Sequence, residues 1–287
     1  MDIGQVPDQI RFGLTASRNG LQIEFDRNDF HTMPETHFHR EYELYYLFSG
    51  ERNYFIHDRS FTVQPGDIVL IGSDIVHRTS DAGIPGYERM LLYYDPAFFD
   101  GFSAEHKQLL LSVFSHEYPI LRLKLQQRLP LEALLLKLLG ELTEEPPGYE
   151  IHAVNAATEL LLFTARELLR QEPSVHYEPT PVQQKITAVV RHIHASYAEP
   201  LELDDLSSRF YISKSHLSRM FKEVTGFGFS EYVNLTRVRQ AQHLLKETGI
   251  SVTAVSEQCG FGNFSHFGKI FKQLSGVSPR EYRLFNS

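Results

Sequence analysis

Residues 201–283 contain one short device twice, and the duplication restricts what this part of the chain can fold into. Ser215, His216, Phe221 and Lys222 recur as Ser265, His266, Phe271 and Lys272. The offset is about 50 residues, which marks two similar supersecondary units. Leu217 pairs in character with Phe267, Arg219 with Lys269, and Met220 with Ile270. The copies stop at Thr225-Gly226 and Ser275-Gly276, where glycine suits the left-handed position after a helix. A short amphipathic run precedes each copy, over 203–210 and 252–259. Helix, tight turn, second helix, written twice, predicts two helix-turn-helix units whose second helices enter DNA major grooves.

The side chains expected to face DNA are Ser213, Lys214, Ser215, His216, Ser218, Arg219 and Lys222 in the first unit. In the second they are Asn263, Phe264, Ser265, Gly268, Lys269 and Lys272. Leu217, Phe221, Phe267 and Phe271 fall at i, i+4 spacing and face inward. Arg219 and Lys269 hold matching positions and are expected to reach base edges or flanking phosphates. Between the units, 229–246 reads as one helix of roughly 27 Å. That length suits two reading heads set near the ~34 Å that separates successive major grooves on one face of a duplex.

Residues 201–206 and 212–222, Arg237, Ala241, Leu244, Leu245, Gly260, Phe261, Phe267, Phe271, Lys272 and 278–283 together resemble the DNA-binding domain of AraC/XylS-type transcription regulators. The resemblance covers 185–283. It implies double-stranded operator DNA as a partner, and RNA polymerase as well if the protein activates. Ser207 and Ser256 stand where that family usually packs alanine. Gly268 and Lys269 stand where it more often has serine and arginine, and Phe264 is apolar where a polar, base-facing residue is common.

At 287 residues the length favours two domains. The net charge of −8 hides an asymmetry. From Gln183 onward there are 13 Lys+Arg against 9 Asp+Glu, and before it 15 against 27. A mildly basic tail on an acidic body suits DNA binding confined to one end. The single cysteine, Cys259, excludes an intramolecular disulfide and is expected to be a buried apolar residue. With no apolar run near the ~20 residues of a spanning helix and no leader pattern, a cytoplasmic protein is expected.

The first 20 residues are weakly periodic and read as an arm. Short β-rich runs follow at 21–25, 41–48, 52–56, 60–63, 67–71 and 87–94, spaced as in a small barrel or sandwich. On a strand, positions 37, 39, 41, 43 and 45 share one face. His37, His39 and Glu43 then converge, and His77 can join them from another strand. Two histidines, a glutamate and then Gly50, with Pro65-Gly66-Asp67 and His77 later, resemble the first cupin motif and the remains of the second. Residues 30–80 thus resemble a cupin barrel, in keeping with the sensor half of many AraC-type regulators. Such sensors commonly work without metal, so no cofactor is expected. Tyr42, Tyr45, Tyr46, Phe48, Tyr54, Phe55, Tyr93 and Tyr94 suit an apolar cleft with a few placed polar groups. Arg89 is placed either to meet an acidic or hydroxylated ligand or to pair with Glu88 or a barrel carboxylate.

Helices are expected at 103–114, 129–142 and 150–169. The last carries Ile151, Val154, Leu161, Leu162, Ala165, Leu168 and Leu169, a stripe wide enough to meet a twin helix. Packing of that stripe on 131–139 of the same chain is the alternative. The sequence therefore reads as an α+β multidomain chain. Residues 1–100 form a cupin-like effector-sensing barrel with its arm, 101–172 a helical dimerisation segment, 173–182 a proline-rich linker, and 183–287 an all-α double helix-turn-helix domain. The expected function is a homodimeric transcription regulator. The resemblance points to a sugar or related carbon source as effector, held by His37, His39, Glu43, Tyr45, His77 and Arg89. The rival readings are a metal-dependent cupin enzyme and a metal-sensing regulator.

Overall fold

The computed structural model describes residues 3–15, 20–28, 39–73, 75–83, 85–116, 119–170 and 180–285. The chain divides near residue 178 into two compact units.

The N-terminal unit is sheet-rich. Its strands are β1 (Gln9–Gly13), β2 (Leu21–Asn28), β3 (Tyr42–Ser49), β4 (Arg52–Ile56), β5 (Arg59–Val63), β6 (Asp67–Ile71), β7 (His77–Asp81), β8 (Tyr87–Tyr94) and β9 (Ile120–Arg122). They form a six-stranded sheet in the order β1-β2-β8-β3-β6-β9 and a three-stranded sheet in the order β5-β4-β7. β3 explains the architecture. Both of its faces are buried, so it reads as an almost continuous apolar run. Leu44, Tyr46 and Phe48 pack in a core with the helices, whereas Tyr45 and Leu47 pack in a second core with Tyr54, Ile56, Phe61 and Val63 of the small sheet.

The helices of this unit are α1 (Ala104–Ser112), α2 (Leu125–Glu144) and α3 (Tyr149–Arg170). The helix expected from 129 starts four residues earlier. Gln127 Oε1 accepts from the Lys124 backbone N–H at 2.9 Å, which caps the helix ahead of Pro130. The expected arm is also corrected: residues 9–13 form β1, paired antiparallel with β2, and Val6 and Ile10 are buried. Two further strands, β7 and β9, lie outside the runs read from the sequence. β9 is pinned by Arg122, whose Nε and Nη2 donate to the two carboxylate oxygens of Asp67 at 2.8 and 2.7 Å.

Leu161 is fully buried in the unit's own core, beside Leu135, Leu138 and Leu139. The expectation that it meets a partner subunit is therefore corrected. A wide stripe on α3 is needed because the helix packs on α1 and α2 at once.

The C-terminal unit is all helical: α4 (Pro181–Ser196), α5 (Leu203–Arg209), α6 (Lys214–Thr225), α7 (Phe229–Glu247), α8 (Val252–Gln258), α9 (Phe264–Ser275) and α10 (Pro279–Phe285). The expected linker lies mostly outside the described residues. Its last two positions, Pro181 and Val182, already belong to α4, which Thr180 caps by accepting from the Gln183 N–H at 3.2 Å. The duplication is visible in the bonds. Ile212 N–H donates to Ser207 O at 3.0 Å, and Phe261 N–H donates to Ser256 O at 3.1 Å. α7 runs between the two copies and packs on α6, α8 and α9. Cys259 is fully buried, and burial pushes its thiol up to about 12.

Candidate DNA interface and effector site

α6 and α9 each bury a short apolar seam and turn everything else outward. Leu217 and Phe221 are fully buried on α6, as are Phe267 and Phe271 on α9. Ser213, Lys214, Ser215, His216, Ser218, Arg219 and Lys222 are exposed, and so are Asn263, Phe264, Ser265, Lys269 and Lys272. Gly268 is half-buried. The structure thus gathers the expected DNA-facing residues on the outer faces of two capped helices. Some are already engaged. Lys214 Nζ donates to Asp204 Oδ2 at 2.6 Å, and Arg219 Nη2 donates to His216 Nδ1 at 2.9 Å. Asn263 Oδ1 accepts from His266 N–H at 2.9 Å as the N-cap of α9. Tyr211 was passed over in the sequence. It is 94% exposed in the turn between α5 and α6, with φ +54°, in the place that Gly260 fills in the second copy. A bulky residue in that conformation is uncommon, and a register of the two turns was the signal that could have found it.

The second site lies between the two sheets. Glu43, on β3, is fully buried. Its Oε2 lies 3.2 Å from His39 Nε2 and 3.3 Å from His77 Nε2, and its Oε1 accepts from Tyr54 Oη–H at 3.4 Å. His39 does not sit on the strand as expected: it precedes β3 and reaches Glu43 from the approach to it. His37 lies outside the described residues. His39 Nδ1 is 2.9 Å from Glu41 O, and His77 Nδ1 is 2.8 Å from Ile75 O. A carbonyl only accepts, so both Nδ1 atoms carry protons and both Nε2 atoms turn toward the carboxylate.

Three Lewis bases therefore converge. Burial alone would push the Glu43 carboxyl up, yet His77 and His39 beside it hold it well below the usual carboxylate range. Burial alone would lower His39, but its hydrogen bond to Glu43 and that residue's charge bring it above the ordinary histidine value. A second proton on His39 satisfies part of this cluster, and a divalent cation would satisfy all of it. The ligand atoms of His39, Glu43 and His77 all lie within 4.8 Å of one another. Backbone carbonyls on both Nδ1 atoms are the usual support for metal-binding imidazoles. The donor set fits a transition metal, which those three residues would hold.

Deeper between the sheets, Tyr45 and Arg89 are both buried, and Tyr45 Oη and Arg89 Nε have no hydrogen-bond partner among the described residues. Arg89 pairs with a barrel carboxylate, its Nη2 donating to Asp26 Oδ2 at 3.1 Å. Arg52, missed in the sequence, is buried beside it. It pairs with Asp81, and its guanidinium lies 4.6 Å from the Tyr87 ring centre. Of the aromatics expected in the cleft, Tyr45 and Tyr54 line this interior and Tyr93 packs against it. Tyr42, Tyr46, Phe48 and Tyr94 serve the helical side instead. Tyr46 donates to Glu132 Oε1 at 2.8 Å and Tyr94 to Ala157 O at 3.1 Å.

A sheet-rich unit with a polar interior, followed by a pair of helix-turn-helix units, defines a ligand-responsive DNA-binding protein. Two family models agree. The AraC-like ligand binding domain matches residues 21–161, and the helix-turn-helix domain matches 206–284. The chain belongs to the AraC family of transcription regulators. It is 26% identical over 254 residues to the HTH-type transcriptional regulator YfiF of Bacillus subtilis, covering 86% of this chain and 78% of that one. It is 25% identical over 261 residues to the HTH-type transcriptional activator RhaR of Escherichia coli, covering 88% and 87%. The activator RhaS of Klebsiella pneumoniae is 31% identical over 134 residues, 47% of this chain and 48% of that protein. Among solved structures, ToxT of Vibrio cholerae is similar at 14% identity and a TM-score of 0.38, covering 96% of this chain and 100% of that one. Among the described residues no helix is long and apolar enough to cross a membrane.

Proposed function

We propose that this regulator binds a small effector between its two sheets, through His39, Glu43, Tyr45, His77 and Arg89, and that occupancy there changes operator binding by α6 and α9. The observation that carries the reading is the set of buried polar groups facing one another across the sheets, with Tyr45 Oη and Arg89 Nε left without a hydrogen-bond partner among the described residues. Hydroxyl-rich molecules, sugars above all, or small acids match such donors. The site regulates rather than turns over its ligand. The protein acts in the cytoplasm, and RNA polymerase is a further partner if it activates. Thermal-shift titration of the full chain with sugars and small acids tests this, because a ligand that prefers the folded state raises the melting temperature. One compound is expected to raise it in the wild type and not in His39→Ala. No shift from either class would contradict the reading.

A second reading is favoured by the His39–Glu43–His77 convergence: the effector is, or arrives with, a divalent transition metal. Elemental analysis of protein purified without an affinity tag separates the two. About one equivalent of metal, lost in Glu43→Gln, establishes the metal reading; metal-free protein that still shifts with an organic ligand removes it.

A homodimer completes the proposal. Leu125 and Leu129 of α2 and Leu169 of α3 are exposed, and the Gln127–Glu167 hydrogen bond brings those helix ends together. Leu129→Glu with Leu169→Glu is expected to give folded monomers, since charge in an apolar interface costs several kcal/mol. Sedimentation with circular dichroism checks it; a folded dimer would place the interface elsewhere.

A further inference from the structure

The two reading heads do not present the same chemistry. At the start of α9 stands Phe264, 47% exposed, with its ring backed by Phe267 at 6.1 Å between centroids. One turn further on is Gly268. A Cβ there would meet nothing within 4 Å, and its φ is not positive. Neither packing nor backbone conformation requires glycine, and a glycine inside a helix weakens it relative to alanine. The first head has Ser218 at that place. Asn263 Oδ1 is committed to the His266 N–H, which reduces what the leading turn of α9 can accept from a base. That turn therefore offers a braced apolar ring beside a notch, flanked by Ser265 and Lys272, which suit phosphates.

We propose that Phe264 reads the C5-methyl group of a thymine in the major groove entered by α9, and that Gly268 lets the helix approach that base closely. The thymine methyl is the one apolar feature of the major-groove edges, and a fixed aromatic ring matches it. This rests on the reading of α9 as a groove-entering helix.

The full chain selects its preferred duplex from a randomised pool. Affinity is then measured with each thymine replaced singly by deoxyuridine, alongside a hydroxyl-radical footprint. At one thymine in the segment covered by the second head, loss of the methyl is expected to weaken binding about fourfold, the value of one buried methyl-sized group. Phe264→Ala should abolish that distinction, and Phe264→Leu should keep part of it. Gly268→Ala should raise the melting temperature while weakening DNA binding. Indifference to deoxyuridine at every position, with two grooves still protected, overturns the methyl contact and leaves the two-head reading standing. Protection of one groove only overturns both. Unchanged DNA binding in Phe264→Ala would overturn the proposal.

Discussion

Gly260→Ala is expected to cost the C-terminal unit about 3 kcal/mol or more, from the left-handed conformation and from overpacking together. Gly260 holds φ +77° in the turn between α8 and α9. An added Cβ would lie 2.6 Å from Ala198 O and 2.8 Å from Tyr197 O. Those atoms are backbone and cannot swing aside, because Arg237 holds the carbonyls on either side of Ala198. Its Nε donates to Tyr197 O at 2.8 Å and its Nη2 to Glu199 O at 2.8 Å. Its guanidinium also lies 5.8 Å from the Phe261 ring centre. The end of α4, the middle of α7 and the second turn are therefore one joint. Hydrogen exchange of the full chain checks the prediction: α8 and α9 should lose protection first, with the β-strands unaffected. Native protection in α9 would contradict it.

Glu43→Ala is expected to destabilise the N-terminal unit by about 3 kcal/mol, the scale of breaking a buried charged pair. The substitution removes the acceptor of Tyr54 Oη–H and the carboxylate toward which His39 and His77 both turn. It also leaves a cavity beside a strand that is buried on both faces. Exchange in β3 and its neighbours β6 and β8 should rise, while α6 and α9 keep their protection. Glu43→Gln, which fills the space without the charge, should cost less. Equal loss from both variants would make the charge the whole contribution, and no loss from Glu43→Ala would show the cluster to be structurally idle.

The C-terminal unit was legible because duplication made each half a check on the other: seam, exposed face and stop glycine all recur. What the repeat concealed was a difference in register at Tyr211 and Gly260, since an alignment anchored on His216 and His266 slips by one residue in the turns. In the N-terminal unit, β2, β3, β6 and β8 were legible from apolar and aromatic runs. β7 was not, because its residues, His77 to Asp81, are all polar. Its place comes from pairing with β4 and from the burial of His77 and Thr79, which only the fold supplies. β1 and β9 are short edge strands, and the partner of β9, β6, lies far back along the chain. Leu161 shows the opposite failure. Periodicity found its apolar stripe correctly but could not say whether the stripe meets its own chain or another.

The effector cluster was half legible. Spacing brought out His39, Glu43 and His77, because their chemistry is conspicuous. Arg52, Asp26 and Asp81 were not, because a buried ion pair is invisible until two strands are known to lie together. Tyr46 and Tyr94 were assigned to the wrong side because each alternates with residues that are equally apolar.

The central claim is that one chain reads DNA with two heads, α6 and α9, held by α7. The most direct test is a footprint of the full chain on its selected duplex, combined with binding of Arg219→Ala and Lys269→Ala to every single base-pair variant. Two protected segments are expected, centred about one helical turn apart on one face. Arg219→Ala should relax base preference in one segment by about 1–3 kcal/mol, and Lys269→Ala should act only in the other. A single protected segment, or losses from both variants that are uniform across all sequences, would contradict it.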